Sequence, residues 1–162
     1  MDITPSLEET SQSQLLAQQI SQEINAQGGQ ISFAKYMEMA LYMPGLGYYA
    51  AGKTKLGATG DFTTAPELSP LFGAAICSTL LPVLEGLKEK GLPAQILEFG
   101  AGSGKLAQSI LTRLQDLGFS LDRYDIIEIS PDLAQRQKAL LTSTLAISKT
   151  STQCNWLSAL PQ

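Results

Sequence analysis

Histidine is absent from this 162-residue chain, and cysteine occurs only twice, at Cys77 and Cys154. Without histidine no His-dependent triad can be assembled, and two cysteines so far apart match none of the usual zinc spacings, so no metal site is expected. Such sparing cysteine use fits a reduced, cytoplasmic compartment. Lysine and arginine are missing altogether from residues 1–30, which carry Asp2, Glu8, Glu9 and Glu23. That stretch has neither the basic start of a secretory signal nor the Arg-rich character of a mitochondrial presequence. No basic stripe exists to release counterions, and the net charge is −4, which argues against nucleic-acid and anionic-membrane partners. No apolar run is read as long enough to span a membrane.

What is present is 44% hydrophobic and 16% charged, enough apolar material for the core of one ordinary soluble domain. The chain is arranged around Ile96-Leu97-Glu98-Phe99-Gly100-Ala101-Gly102-Ser103-Gly104-Lys105-Leu106-Ala107. An apolar run ends in a carboxylate, meets three glycines at alternate positions and enters a helical pattern, which reads as strand, tight turn, helix. Glycines let the backbone turn sharply and approach a ligand closely, and the helix behind them offers unpaired N–H groups. A dinucleotide GxGxxG counted from Gly100 needs glycine where Lys105 stands. A GxxxxGK[ST] phosphate loop needs glycine at Phe99 and a hydroxyl at Leu106. Both fail, and Lys105 and Glu98 also disfavour an NAD-dependent oxidoreductase. An acidic residue followed by GxGxG suits a ligand with a cationic amino-acid moiety.

Tyr124-Asp125-Ile126-Ile127-Glu128-Ile129 reads as a second short strand with Glu128 near its C-terminal end. A carboxylate roughly 20 or more residues beyond such a loop accepts both hydroxyls of a ribose.

Elsewhere, Leu15, Leu16, Ile20 and Ile24 share one face of a helix over about 12–26, stopped by Gly28-Gly29. Ser32 caps a second helix over Ile31–Leu41, whose stripe of Phe33, Tyr36, Met37, Ala40 and Leu41 is expected in the core. Residues Ala50 to Gly60 read as a loop. Leu71, Phe72, Ala75, Ile76, Leu80, Val83, Leu84 and Leu87 make an amphipathic helix that Pro82 should kink or divide. Leu106, Ile110, Leu111, Leu114 and Leu117 mark the helix after the glycine loop. Ser130-Pro131-Asp132 opens another, with Leu133, Leu140 and Leu141 inward. Leu145-Ala146-Ile147 is a candidate third strand. The expected organisation is an N-terminal helix and linker over 1–30, a helical cap region over 31–93 and the first half of a Rossmann-like domain over 94–162.

The segments ISFAKYMEMALYMPGLGYY, GDFTTAPELSPLFG, ILEFGAGSGKLA and IIEISPDLAQRQKALL, in that order, resemble the MidA-like methyltransferases, a family that includes a mitochondrial protein arginine methyltransferase. The likeness runs from about Ile31 to Trp156, and GDFTTAPELSPLFG is its most specific part. It implies an α/β, Rossmann-like class I fold, S-adenosylmethionine (SAM) as cofactor, and methyl transfer to protein arginine side chains. By that likeness Glu98, Gly100, Gly102 and Gly104 would hold the methionine end of the cofactor and Glu128 the ribose. Ala101, Ser103 and Ile129 count among the cofactor-binding residues, and the likeness implies that the Asp61–Glu67 segment walls the cofactor or substrate site, with Asp61 and Thr64 its candidates. Catalytic residues on the acceptor side are not identified.

Members of this family continue well past the equivalent of Gln162, into a fourth strand that carries acceptor-side residues. The resemblance therefore implies a cofactor half, inactive alone, in which the strand Ala94–Phe99 lies at the sheet edge and invites self-association. A protein substrate is the expected partner, in a bacterial cytoplasmic setting. The alternative is an interaction or assembly module on a degenerate SAM fold.

Overall fold

The computed structural model describes residues 6–51, 60, 63–148 and 151–161. The chain divides into two compact units, Met1–Lys53 and Thr54–Gln162.

In the first unit, α1 spans Leu7–Ala26 and α2 spans Phe33–Tyr42. Helix α1 starts earlier than residue 12 because Ser6 and Glu9 form a reciprocal cap. The Ser6 hydroxyl accepts from Glu9 N–H at 3.2 Å, and the Glu9 carboxylate accepts from Ser6 N–H at 2.7 Å. Ser32 caps α2 as expected, accepting from Lys35 N–H at 3.1 Å. The aromatic stripe of α2 is not core, however. Met39 is its buried residue, while Phe33 and Tyr36 are exposed and stack on each other at 6.2 Å.

The second unit runs α3 (Ala65–Leu68), α4 (Pro70–Glu89), β1 (Gln95–Phe99), α5 (Lys105–Asp116), β2 (Arg123–Ile127), α6 (Pro131–Ser148) and β3 (Gln153–Leu157). Three parallel strands lie in the order β1-β2-β3, with Glu98 level with Ile126 and Ile126 level with Trp156. This is the α/β, Rossmann-like arrangement expected, with β1 at the edge of the described sheet. Both crossovers step the same way across the sheet, so α5 and α6 cover the same face. Ile96, Tyr124, Ile126, Cys154 and Trp156 of that face pack with Cys77 and Leu84 of α4, Ile110, Leu111 and Leu114 of α5 and Leu141 of α6. Leu97, Phe99, Ile127 and Leu157 alternate onto the other face, outside that cluster.

Helices α4 and α5 approach closely at Gly73, where a Cβ would come 2.4 Å from Ser109 Cβ. Pro82 does not divide α4. Cys77 and Leu84, on either side of it, are both anchored in one core, which holds the helix together across the missing N–H. By length and composition α4 is also apolar enough to cross a membrane, against the expectation that no run is. Here it packs on α5 with Gly73, Cys77 and Leu84 buried, while Leu71 and Val83 are exposed.

Leu145, Ala146 and Ile147 belong to α6, and the third strand is Gln153–Leu157. The correction has a local cause. Leu145 continues the inward spacing of Leu141, so these residues extend the helical stripe.

Candidate functional site

The site is built at the C-terminal ends of β1 and β2. Gly100 N–H donates to Ile127 C=O at 2.9 Å, so pairing of the two strands runs on into the first glycine. Gly100, Gly102 and Gly104 all take positive φ, +61°, +56° and +87°. Gly104 is the left-handed N-cap of α5, and its N–H closes the turn onto Ala101 C=O at 2.8 Å. A Cβ on Gly104 would meet Leu140 and Gln137 of α6 at 3.4 and 3.5 Å, whereas one on Gly100 would meet nothing within 4 Å. Among the described residues the turn is thus packed beneath Gly104 and open above Gly100.

Glu98, next to the last residue of β1, is half-buried, and the Tyr124 hydroxyl donates to its Oε2 at 2.8 Å. Burial pushes the Glu98 carboxyl above its ordinary value, a rise the Tyr124 hydrogen bond only partly offsets. Burial likewise pushes the Tyr124 phenol up, with the Glu98 charge and hydrogen bond adding to it, so Tyr124 stays a donor. An ammonium group beside Glu98 would favour its charged form, and that is the chemistry an amino-acid ligand supplies.

Glu128 follows β2, and its N–H still pairs with Leu157 of β3 at 3.1 Å. One carboxylate oxygen accepts from Ser130 N–H at 2.9 Å and the other from Gln137 Nε2 at 2.9 Å. The buried Ser130 caps α6, its hydroxyl accepting from Leu133 N–H at 3.3 Å. Gln137, fully buried, also donates from Nε2 to Gly102 C=O at 2.9 Å, and its Oε1 accepts from Trp156 Nε1 at 2.9 Å. Glu128 and the glycine turn are therefore tied through one side chain, although about 25 residues separate them in sequence, the spacing such loop-and-acid pairs show.

A third carboxylate reaches the turn from GDFTTAPELSPLFG. The Glu67 side chain, only 5% exposed, lies 2.8 Å from Lys105 Nζ and accepts from the Ser103 hydroxyl. Burial alone would raise this carboxyl. The Lys105 and Ser103 hydrogen bonds and the Lys105 charge outweigh that and hold it below the ordinary range. The ion pair also counters a lysine at the first position of α5, where the helix dipole disfavours a cation.

Glu98, the three glycines, Ser103 and Glu128 thus come together at one end of the sheet. The Ala101 side chain lies in the core, and Ile129, beside Glu128, is 52% exposed. Thr64 is the N-cap of α3 without a side-chain cap bond, and Asp61 lies outside the described residues. Two residues escaped the sequence reading. Gln137 stands between Leu133 and Leu141 at four-residue spacing, a polar residue on an otherwise apolar stripe. Glu67 closes the Asp61–Glu67 segment that the resemblance implies as a wall of the site, but its side chain was not singled out there.

A parallel sheet with its glycine turn and acidic strand ends defines a Rossmann-like fold of the class I SAM methyltransferase type. Residues 75–162 match the model of the family described as "Putative S-adenosyl-L-methionine-dependent methyltransferase", and the chain belongs to that family. It is 39% identical over 119 residues to the zebrafish (Danio rerio) mitochondrial protein arginine methyltransferase NDUFAF7, covering 70% of this chain and 28% of that protein. Against human NDUFAF7 it is 35% identical over 118 residues, covering 70% and 26%. The chain spans about a quarter of the length of these curated relatives. A crystal structure from Burkholderia thailandensis, bound to S-adenosyl-homocysteine, is 41% identical with a TM-score of 0.79, covering 98% of this chain and 40% of that one. A native structure from the same organism is 40% identical with a TM-score of 0.73, covering 98% and 38%.

Proposed function

We propose that Thr54–Gln162 is the cofactor-binding half of a SAM-dependent methyltransferase acting on protein arginine side chains. One observation carries the reading: Glu128 and the open glycine turn meet at the ends of neighbouring parallel strands, linked by hydrogen bonds through Gln137. Glu98 would hold the amino group of the methionine moiety, Gly100 and Gly102 give the backbone close approach, and Glu128 would accept the ribose hydroxyls. When bound, the cofactor supplies an electrophilic methyl group on a sulfonium. The residues of this chain bind and orient it, and positioning of that kind contributes roughly 7–11 kcal/mol to well-aligned reactions.

Arginine as acceptor is supported by the names of the curated relatives, and a bacterial setting by the likeness to the Burkholderia chains, while the cytoplasmic part of the proposal rests on the sparing use of cysteine. The proposed protein substrate and self-association belong to the same reading. Among the described residues no strand pairs with the outer edge of β1, and this edge, with Phe99 66% exposed beside the turn, supports pairing with another strand.

Isothermal titration with S-adenosylhomocysteine tests the central claim. Saturable binding at one site is expected, and the absence of binding at millimolar ligand by folded protein overturns it.

A further inference from the structure

We propose that Gln137 is the positioning residue that gives this site its selectivity for a ribose over a deoxyribose, by clamping the Glu128 carboxylate and the glycine turn in one fixed relation. The inference rests on the cofactor reading above and extends it to a residue that touches no cofactor.

A primary amide offers two N–H donors and one carbonyl acceptor. All are used here: Nε2 donates to Glu128 Oε2 and to Gly102 C=O, and Oε1 accepts from the Trp156 indole, each at 2.9 Å. Flipping the amide would turn its carbonyl toward two acceptors and its N–H groups toward a donor, so the network admits one orientation. With zero exposure, Gln137 has no water to substitute for any of these partners.

Two consequences follow for the site. Glu128 is held at both oxygens, by Ser130 N–H on one side and Gln137 on the other. A carboxylate has about four lone-pair positions, so each oxygen keeps capacity for one further donor, which matches two adjacent hydroxyls. Gly102 C=O is drawn toward α6, and across a planar trans peptide the N–H of Ser103 must point the opposite way. A carboxylate released from the amide could rotate and satisfy one hydroxyl without the other. Trp156 makes β3 a participant, because its indole holds the amide in register.

The test compares S-adenosylhomocysteine with its 2′-deoxyribose analogue by titration calorimetry, on the 162-residue chain and its Gln137→Leu and Gln137→Glu variants. The unaltered chain is expected to prefer the ribose ligand by about tenfold or more, the worth of one hydrogen bond to a charged acceptor. Gln137→Leu should lose most of that preference, chiefly by weakening the ribose ligand. Gln137→Glu, buried against a second carboxylate, is held protonated and offers one O–H in place of two N–H donors, and should lose part of the preference. A variant that weakens both ligands equally and keeps the preference overturns the proposal, since that is what a merely structural role produces. The unaltered protein provides a readout that needs no variant. Its Gln137 side-chain amide signals in ¹⁵N NMR should exchange slowly with solvent and shift on adding S-adenosylhomocysteine. Exchange as fast as that of surface glutamines overturns the clamp. Failure of the unaltered chain to bind S-adenosylhomocysteine instead strikes the cofactor reading itself, and this inference falls with it.

Discussion

Two carboxylates stand near the C-terminal ends of neighbouring strands of one sheet, yet they live in different environments. Glu98 is drawn toward the core, takes a single hydrogen bond from Tyr124, and is pushed toward its neutral form by burial. Glu128, one step beyond the last β2 pair, is held at both oxygens by Ser130 N–H and Gln137. The first suits a cation that would return it to its charged state. The second suits neutral hydroxyl donors, because its orientation is already fixed. Identical functional groups thus acquire different environments from burial and from the number of donors that reach them, and on the proposed reading those environments take different parts of the cofactor.

The most damaging change to this comparison removes the floor both groups share. Gly104→Val would place a β-branched side chain at φ +87°, against Leu140 and Gln137. We expect a loss of about 2–3 kcal/mol in urea denaturation and no measurable binding of S-adenosylhomocysteine; retained binding in a folded variant would show that the turn is not the cradle.

The carboxylates themselves separate next. Glu128→Ala should weaken S-adenosylhomocysteine by about a hundredfold, from two hydrogen bonds to a charged acceptor. Glu98→Gln should also weaken binding, but it should raise stability at neutral pH, because it removes a buried group that ionises at a cost. Titration calorimetry and urea midpoints on both variants check the contrast, and equal stability effects would dissolve it.

The smallest effect concerns pH and Tyr124. Because the Glu98 carboxyl is raised above its ordinary 4.5, the folded state binds the extra proton. This group's contribution to stability is then fullest below that value and is lost as pH rises through the raised one. Glu67 and Asp122 are lowered, Asp122 chiefly by its Lys88 hydrogen bond, and act in the opposite sense, their contributions being lost as pH falls. Tyr124→Phe removes the hydroxyl that offsets burial at Glu98. It should cost about 1 kcal/mol and move the pH at which ligand binding sets in upward, as measured by S-adenosylhomocysteine affinity between about pH 4.5 and 7. An unshifted onset would remove Glu98 from the binding site.

Much of this was legible locally. The three glycines, the Ser32 and Ser130 caps and the helix after the turn depend on neighbours within a few residues, and each stands where its residues indicate; the two strands do as well, although β2 stops at Ile127, short of Glu128 and Ile129. The earlier start of α1 was also written in the chain, as the Ser6–Glu9 cap, and went unread. The exposed Phe33 and Tyr36 were illegible for another reason. Helical spacing tells which residues share a face, not whether anything covers that face.

The sequence by itself determined the turn chemistry, the strand-end carboxylates and the amphipathic helices, because backbone dihedrals, caps and side-chain periodicity are short-range. Only the tertiary structure decided that Gln137 bridges Gly102, Glu128 and Trp156, and that Glu67 closes on Ser103 and Lys105. These contacts join groups up to 38 residues apart, Glu67 and Lys105 being the most distant, and a contact across such a gap exists only once the sheet register and the helix layer have brought its partners within 3 Å or so.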